Sequence, residues 1–212
     1  MRHSLMPLTD DRQHINMRGR RYTAPPLTST CSVVCQSYKE DNNRRKEAKK
    51  TKVAEEPRFH NRIGVFRRKT GYKYEICGWK YEGEYAIYNT STYEEQLKDK
   101  RGFANPINNY YTVYDGKRLV GFFNLIDEET EVFFGIGVAP DCCNKGYGRE
   151  ICEEALELSR ELYPGKMIYL EVRTWNLRAV KCYEKAGFSI DGEPIKQTTS
   201  IGEGVFYRMV AH

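Results

Sequence analysis

From Gly146 onward the apolar positions Tyr147, Ile151, Ala155, Leu158 and Leu162 fall four, four, three and four residues apart. That spacing lines one face of an amphipathic helix, and Pro164 with Gly165 ends it. A second helical stretch runs from Asn176, well placed as its cap, to Gly187 at its end. Between and before these helices the period falls to two. Asn109–Asp115 and Lys117–Ile126 flank an Asp115-Gly116 turn and predict a hairpin, and Glu131–Pro140 adds a third strand that Pro140 stops. Met167–Thr174 reads as a buried strand, Gly204–Ala211 as a last strand and Arg62–Arg68 as an opening one. Tyr72–Asn89 begins helical and ends in an aromatic, acidic loop. Ser91–Lys100 reads as a further helix, with Ser91 as cap and Glu94 three residues on. An antiparallel meander that runs into helix, strand, helix and strand implies a mixed sheet flanked by helices, an α+β or α/β three-layer sandwich.

The chain has 212 residues, 40% of them hydrophobic, enough for one full core. The net charge of +5 is unevenly placed. Residues 1–61 hold 13 Lys and Arg against 7 Asp and Glu, whereas residues 62–212 hold 21 against 22. The basic first part has no sustained apolar periodicity and reads as a solvated extension without a packed core, followed by one domain over 62–212. Its aromatics are sparse for a nucleic-acid-binding arm, although a salt-sensitive association with ribosomes or nucleic acid stays open. Asp10 and Asp11 interrupt any secretory signal, and no window is long and apolar enough to span a membrane. The seven cysteines, at positions 31, 35, 77, 142, 143, 152 and 182, form no CxxC pair and suit a reducing, cytoplasmic setting. The histidines are His3, His14, His60 and His212, so 62–211 has none for a zinc site or a His-activated nucleophile. Chemistry in this part of the chain falls to carboxylates, tyrosines, thiols and backbone amides.

The stretch Asp141–Leu156, DCCNKGYGREICEEAL, places a polar, glycine-containing loop at the mouth of the first long helix. The first amides of a helix lack intrahelical partners and carry partial positive charge, which makes them an anion site. Gly146 and Gly148 would let backbone approach a phosphate, or would serve only a tight strand-to-helix turn. The loop is neither a dinucleotide fingerprint nor a Walker loop.

Two stretches together resemble the Gcn5-related N-acetyltransferases. Cys143-Asn144-Lys145-Gly146-Tyr147-Gly148 is similar to that family's acetyl-CoA loop, Gln/Arg-x-x-Gly-x-Gly/Ala, with Cys143 where Gln or Arg is usual. Asn176, Ala179, Tyr183, Gly187 and Phe188 match its later motif. The spacing around Glu171 and Tyr183 resembles the ribosomal-protein alanine acetyltransferases. The resemblance covers roughly 62–212 and implies acetyl-CoA as co-substrate, no metal, and acetyl transfer to a primary amine by direct attack in a ternary complex. It further implies a V-shaped split between Glu131–Val138 and Met167–Thr174. Pantetheine would run along Ile136, Gly137 and Val138, and the pyrophosphate would lie on Cys143, Asn144, Lys145, Gly146, Tyr147, Gly148 and Arg149, with Asn176 as cap and polar contact. Tyr183 is the implied proton donor to the leaving thiolate, and Glu171 or Glu131 the base. Cys142 and Cys143 have no neighbouring His to make either a nucleophile.

Acceptor choice, by the same resemblance, belongs to Lys80–Asn108 and to the loop between the last two strands, Ile190–Gly204. Tyr81, Tyr85 and Tyr88 with Glu82, Glu84, Glu94 and Glu95 would suit a cationic amine, whether a small molecule or a protein amine. The alternative from another class is a non-catalytic acyl-CoA-binding sensor or scaffold.

Overall fold

The computed structural model describes residues 58–67, 71–105, 108–199 and 202–212. For residues 1–57, the expectation of a solvated basic extension lies outside the described residues. Nine strands form one sheet among the described residues: β1 (Arg58–His60), β2 (Ile63–Arg67), β3 (Tyr110–Asp115), β4 (Arg118–Asp127), β5 (Glu131–Val138), β6 (Met167–Arg173), β7 (Ser189–Ile190), β8 (Ile195–Thr199) and β9 (Gly202–Ala211). Their order is β1-β2-β3-β4-β5-β6-β9-β7, with β8 also paired to β9. Every pairing is antiparallel except β5 with β6. The helices are α1 (Tyr72–Cys77), α2 (Tyr93–Asp99), α3 (Tyr147–Leu162) and α4 (Leu177–Lys185). The expected mixed sheet flanked by helices is therefore present.

Alternation along the strands separates two cores. Val132 and Phe134 of β5, with Ile168, Leu170 and Val172 of β6, pack against Ile151, Ala155, Leu158 and Leu162 of α3, the helical face that the spacing predicts. Phe134 stacks on Phe188, which follows α4, at 5.9 Å. On the opposite face Phe122 packs with Tyr72, Ile76 and Phe103 beneath α1. Neighbouring residues of β4 thus serve different layers: Phe123 belongs to the first core and Phe122 to the second.

Three details depart from the sequence reading. The helix expected from a Ser91 cap starts one residue later: Thr92 Oγ1 accepts from the Glu95 amide at 3.3 Å, and Glu95 Oε2 accepts from the Thr92 amide at 3.0 Å. Ser91/Glu94 and Thr92/Glu95 have the same spacing. The chosen register turns Gln96 inward, where it donates to the Ser91 carbonyl and accepts from the Phe103 amide. β7 and β8 fill the stretch read as a loop before the last strand. β8 is largely exposed, so no buried face imposed an alternating pattern on it. The third departure is β1, which begins at Arg58; the boundary expected between 61 and 62 falls in the β1–β2 turn.

That hairpin is fastened to the acidic outer face of α3. The Arg58 guanidinium binds Glu161 through two hydrogen bonds of 2.9 Å and also contacts Glu154, whose side chain is only 2% exposed. His60 Nε2 lies 3.6 Å from Glu153. Removing Arg58 would leave the Glu154 carboxylate buried without its main counter-charge. Arg58→Ala is expected to lower the free energy of unfolding by about 3 kcal/mol at pH 7 in a denaturant titration, and adding Glu154→Gln should recover part of the loss.

Candidate functional site

β5 and β6 are paired for only three residues, Glu131 with Met167, Val132 with Ile168 and Phe133 with Tyr169. Beyond that point they part. β5 stays bonded to β4 as far as Val138, and β6 to β9 as far as Arg173. Their inner edges, Phe134–Val138 and Leu170–Arg173, therefore face a cleft of about 720 Å³. Two glycines on β5 leave room for side chains of β4. A Cβ on Gly135 would lie 2.2 Å from Asn124 Oδ1, and one on Gly137 would lie 2.3 Å from the Phe122 ring.

At one end the cleft meets the mouth of α3. The chain leaves β5 through a 3-10 turn at Pro140–Cys142, bends at Asn144 (φ 62°), and enters the helix through Gly146 (φ 90°) as its cap. No side chain caps α3. Asn144, Gly146, Gly148 and Arg149 line the cleft, and the first helical amides are without intrahelical partners. The glycines differ in purpose. Gly146 supplies the left-handed turn, whereas Gly148 is helical and makes space for α4, since its Cβ would sit 3.0 Å from Cys182 Sγ.

Neither Lys145 nor Tyr147 lines the cleft, and both are held by contacts behind it. The Lys145 carbonyl accepts from Arg62 Nη2 at 2.6 Å. Tyr147 is buried beneath the Arg62 guanidinium at 4.0 Å and donates to Asp115 Oδ2 at 2.6 Å. Arg62 also binds Glu150 at 2.9 Å and so fastens the loop to the β1–β2 hairpin. Cys143 does line the cleft, with its sulfur 3.6 Å from the Ala139 carbonyl oxygen; burial pushes its thiol up, as it does that of Cys142.

α4 contributes the opposite wall. Asn176 Oδ1 accepts from the Ala179 amide at 3.2 Å, as a cap should, while Nδ2 donates to the Tyr88 hydroxyl at 3.1 Å. Two turns further on, Tyr183 lines the cleft and packs edge-on against Phe188. Burial holds its phenol well above the ordinary tyrosine range, so it is protonated at neutral pH. Its hydroxyl has no hydrogen-bond partner among the described residues, which leaves it available to a bound group. Arg178, Lys181 and Lys185 add positive charge on the same wall.

The two candidate bases separate. Glu171 lines the cleft, is exposed, and accepts from Gln197 Nε2 of β8 at 2.7 Å. Glu131 does not line it: it sits at the closed end of the split, opposite Met167, and is ion-paired with Arg208. The acidic group expected at the acceptor side is also corrected. Glu82, Glu84, Glu94 and Glu95 are exposed and outside the cleft, and Glu95 is used in the α2 cap. Tyr85 lies under Arg178 at 4.1 Å, away from the lining, while Tyr81 and Tyr88 are part of it. Sequence reasoning did not anticipate that Tyr81 donates to the Val138 carbonyl at 2.9 Å; 57 residues separate the pair and no local pattern links them. Nor did it anticipate Arg62 as the loop's fastening.

Residues 73–188 match the family described as "Acetyltransferase (GNAT) family". The chain belongs to this family. Among curated relatives it is 36% identical over 94 residues to N-alpha-acetyltransferase RimI of Mycobacterium tuberculosis, covering 42% of this chain and 56% of that protein. It is 29% identical over 106 residues to spermidine N(1)-acetyltransferase of Vibrio cholerae, covering 49% and 61%. The matches thus span little more than half of either relative. The fold is similar to that of the Vibrio cholerae spermidine N-acetyltransferase solved with CoA and spermine, with a TM-score of 0.54 at 22% identity over 71% of this chain and 95% of that one. A second structure of that enzyme, a dodecamer in an intermediate state, gives 0.55 at 20% identity over 71% of this chain and 94% of that one.

Within this GNAT-family cleft the thiols differ in readiness to react. The Cys152 thiol, donating to the Cys182 sulfur, holds the Cys182 thiol below the usual cysteine range against its partial burial, and Lys185, Arg149 and Arg178 act in the same direction. A lower value means more thiolate at pH 7.5 and faster alkylation. Mass-spectrometric mapping after brief iodoacetamide treatment should therefore find Cys182 labelled ahead of Cys143 and Cys142.

Proposed function

We propose that the protein is an N-acetyltransferase that moves the acetyl group of acetyl-CoA to a primary amine. The observation that carries this reading is the parting of β5 and β6 beside an uncapped helix N-terminus, with a protonated tyrosine in the same cleft. The residues fit a pyrophosphate-bearing thioester. The amides at the start of α3, with Arg149 beside them, suit the pyrophosphate. The open edge of β5 at Ile136, Gly137 and Val138 offers strand-like bonding to the pantetheine amides, and an N–H near Val138 suits the thioester carbonyl. Cys143 stands where the resemblance implies Gln or Arg, and its amide donates to the Pro140 carbonyl at 3.3 Å, so the amides left for a pyrophosphate are those that follow it at the start of α3.

Acetyl-CoA supplies the activated acetyl group. The acceptor must attack as a neutral amine, and an alkylammonium ordinarily titrates near 10.4, so a proton has to leave its nitrogen. Glu171, in the cleft and steadied by Gln197, is the base in this reading. Tyr183 returns a proton to the departing sulfur, which its raised pKa suits. The transferase unit begins with β1, preceded by a basic extension. We place the protein in the cytoplasm: the described cysteines are free thiols, which suits a reducing compartment, and no described helix is long and apolar enough to cross a membrane.

Thiol release from acetyl-CoA, measured on the full chain across an amine panel, tests the proposal. Tyr183→Phe is expected to lower kcat about 100-fold while the acetyl-CoA dissociation constant stays within about twofold; unchanged turnover in that variant would remove Tyr183 from the chemistry. Because burial raises the Tyr183 pKa and the acid must be protonated to act, no falling limb should appear below about pH 10, whereas kcat/KM should climb from pH 6 to 9 as the amine loses its proton.

A further inference from the structure

We infer that the acceptor is a monoamine carried on an aromatic or apolar group, and not a polyamine; this rests on the transferase reading. Phe133, Glu171 and Arg173 alternate along their strands with residues of the α3 core, so they project from the opposite sheet face. With Trp79, Phe122 and Phe206 they form the half of the cleft away from α3 and α4. Its wall is made of rings. Trp79 lies 6.0 Å from Phe122, and Phe122 is backed edge-on by Phe103 at 5.1 Å.

Charge in this half is sparse and of both signs. Glu171 is the only carboxylate lining the cleft among the described residues. Arg173, 4% exposed, donates to the carbonyls of Glu203 at 2.9 Å and Gly202 at 3.3 Å, and its guanidinium lies 4.9 Å from the Phe206 ring centre. One ammonium can meet Glu171. The second and third ammonium groups of a polyamine would be desolvated against rings without counter-charge, beside a fixed guanidinium. Cation-π attraction offers them some return, but Arg173 already occupies Phe206. An aromatic or apolar substituent instead gains from the same wall by burial. A small arylalkylamine and a peptide with an aromatic first residue share this chemistry.

The test compares 2-phenylethylamine, a pentapeptide with a free N-terminal Phe, and spermidine as acceptors in thiol release with the full chain. Calorimetric titration of CoA runs in parallel. The better aromatic amine should exceed spermidine in kcat/KM by at least tenfold, and which of the two it is identifies the source. Thr90→Glu adds a second carboxylate at an exposed lining position and should narrow that ratio at least threefold toward spermidine. If CoA binds and spermidine is the equal or better acceptor, the acceptor inference is overturned and the transferase reading stands. If CoA binds but no amine is acetylated, or if CoA does not bind, the transferase reading falls and the acceptor inference with it.

Discussion

Two parallel strands that bond for three residues and then separate leave a row of peptide groups that their neighbour no longer satisfies. Each such group, if dry, costs on the order of 1–3 kcal/mol, so the opening of β5 from β6 persists only where water or a ligand takes the partner's place. The outer edges make the separation possible. β4 holds β5 through Val138 and β9 holds β6 through Arg173, so neither strand needs the other to remain extended. Side chains then keep the gap in shape. Tyr81 ties to the Val138 carbonyl, Asn176 reaches Tyr88 across the cleft, and Phe122 and Asn124 lie over the two glycines of β5. The shape of the site is a property of the sheet before it is a property of any one residue.

α3 links this opening to the rest of the molecule. Its apolar stripe fills the main core, its N-terminus faces the cleft, and its outer face carries the carboxylates that Arg58, His60 and Arg62 meet. The loop that presents the helical amides is thus held from behind. Arg62 grips the Lys145 carbonyl and Glu150 while covering Tyr147. A loop whose work is done by backbone amides gains precision from such fastening, because its own side chains need not touch the ligand.

What could be read from the chain followed local rules. The periodicity of α3, the Asn176 cap, the Asp115-Gly116 turn and the strand alternation around it are short-range patterns, and each placed an element close to where it lies. The paired motifs at Cys143–Gly148 and Asn176–Phe188 brought the loop and α4 to one cleft. What local pattern could not reach was geometry between distant segments. Gly148 looks like a partner to Gly146, yet its reason is Cys182 on another helix. Glu131 and Glu171 both sit on strands of the split, but the register puts one at its closed end and the other in the open part. The glutamates near Tyr81 look like an acceptor site in one dimension and face outward in three.

Amide hydrogen exchange resolved to short peptides, with and without saturating acetyl-CoA, tests the parted-strand account most directly. New protection is expected only in 134–138 on β5 and 143–149 at the mouth of α3. Saturated binding that leaves both segments exchanging as before would contradict it.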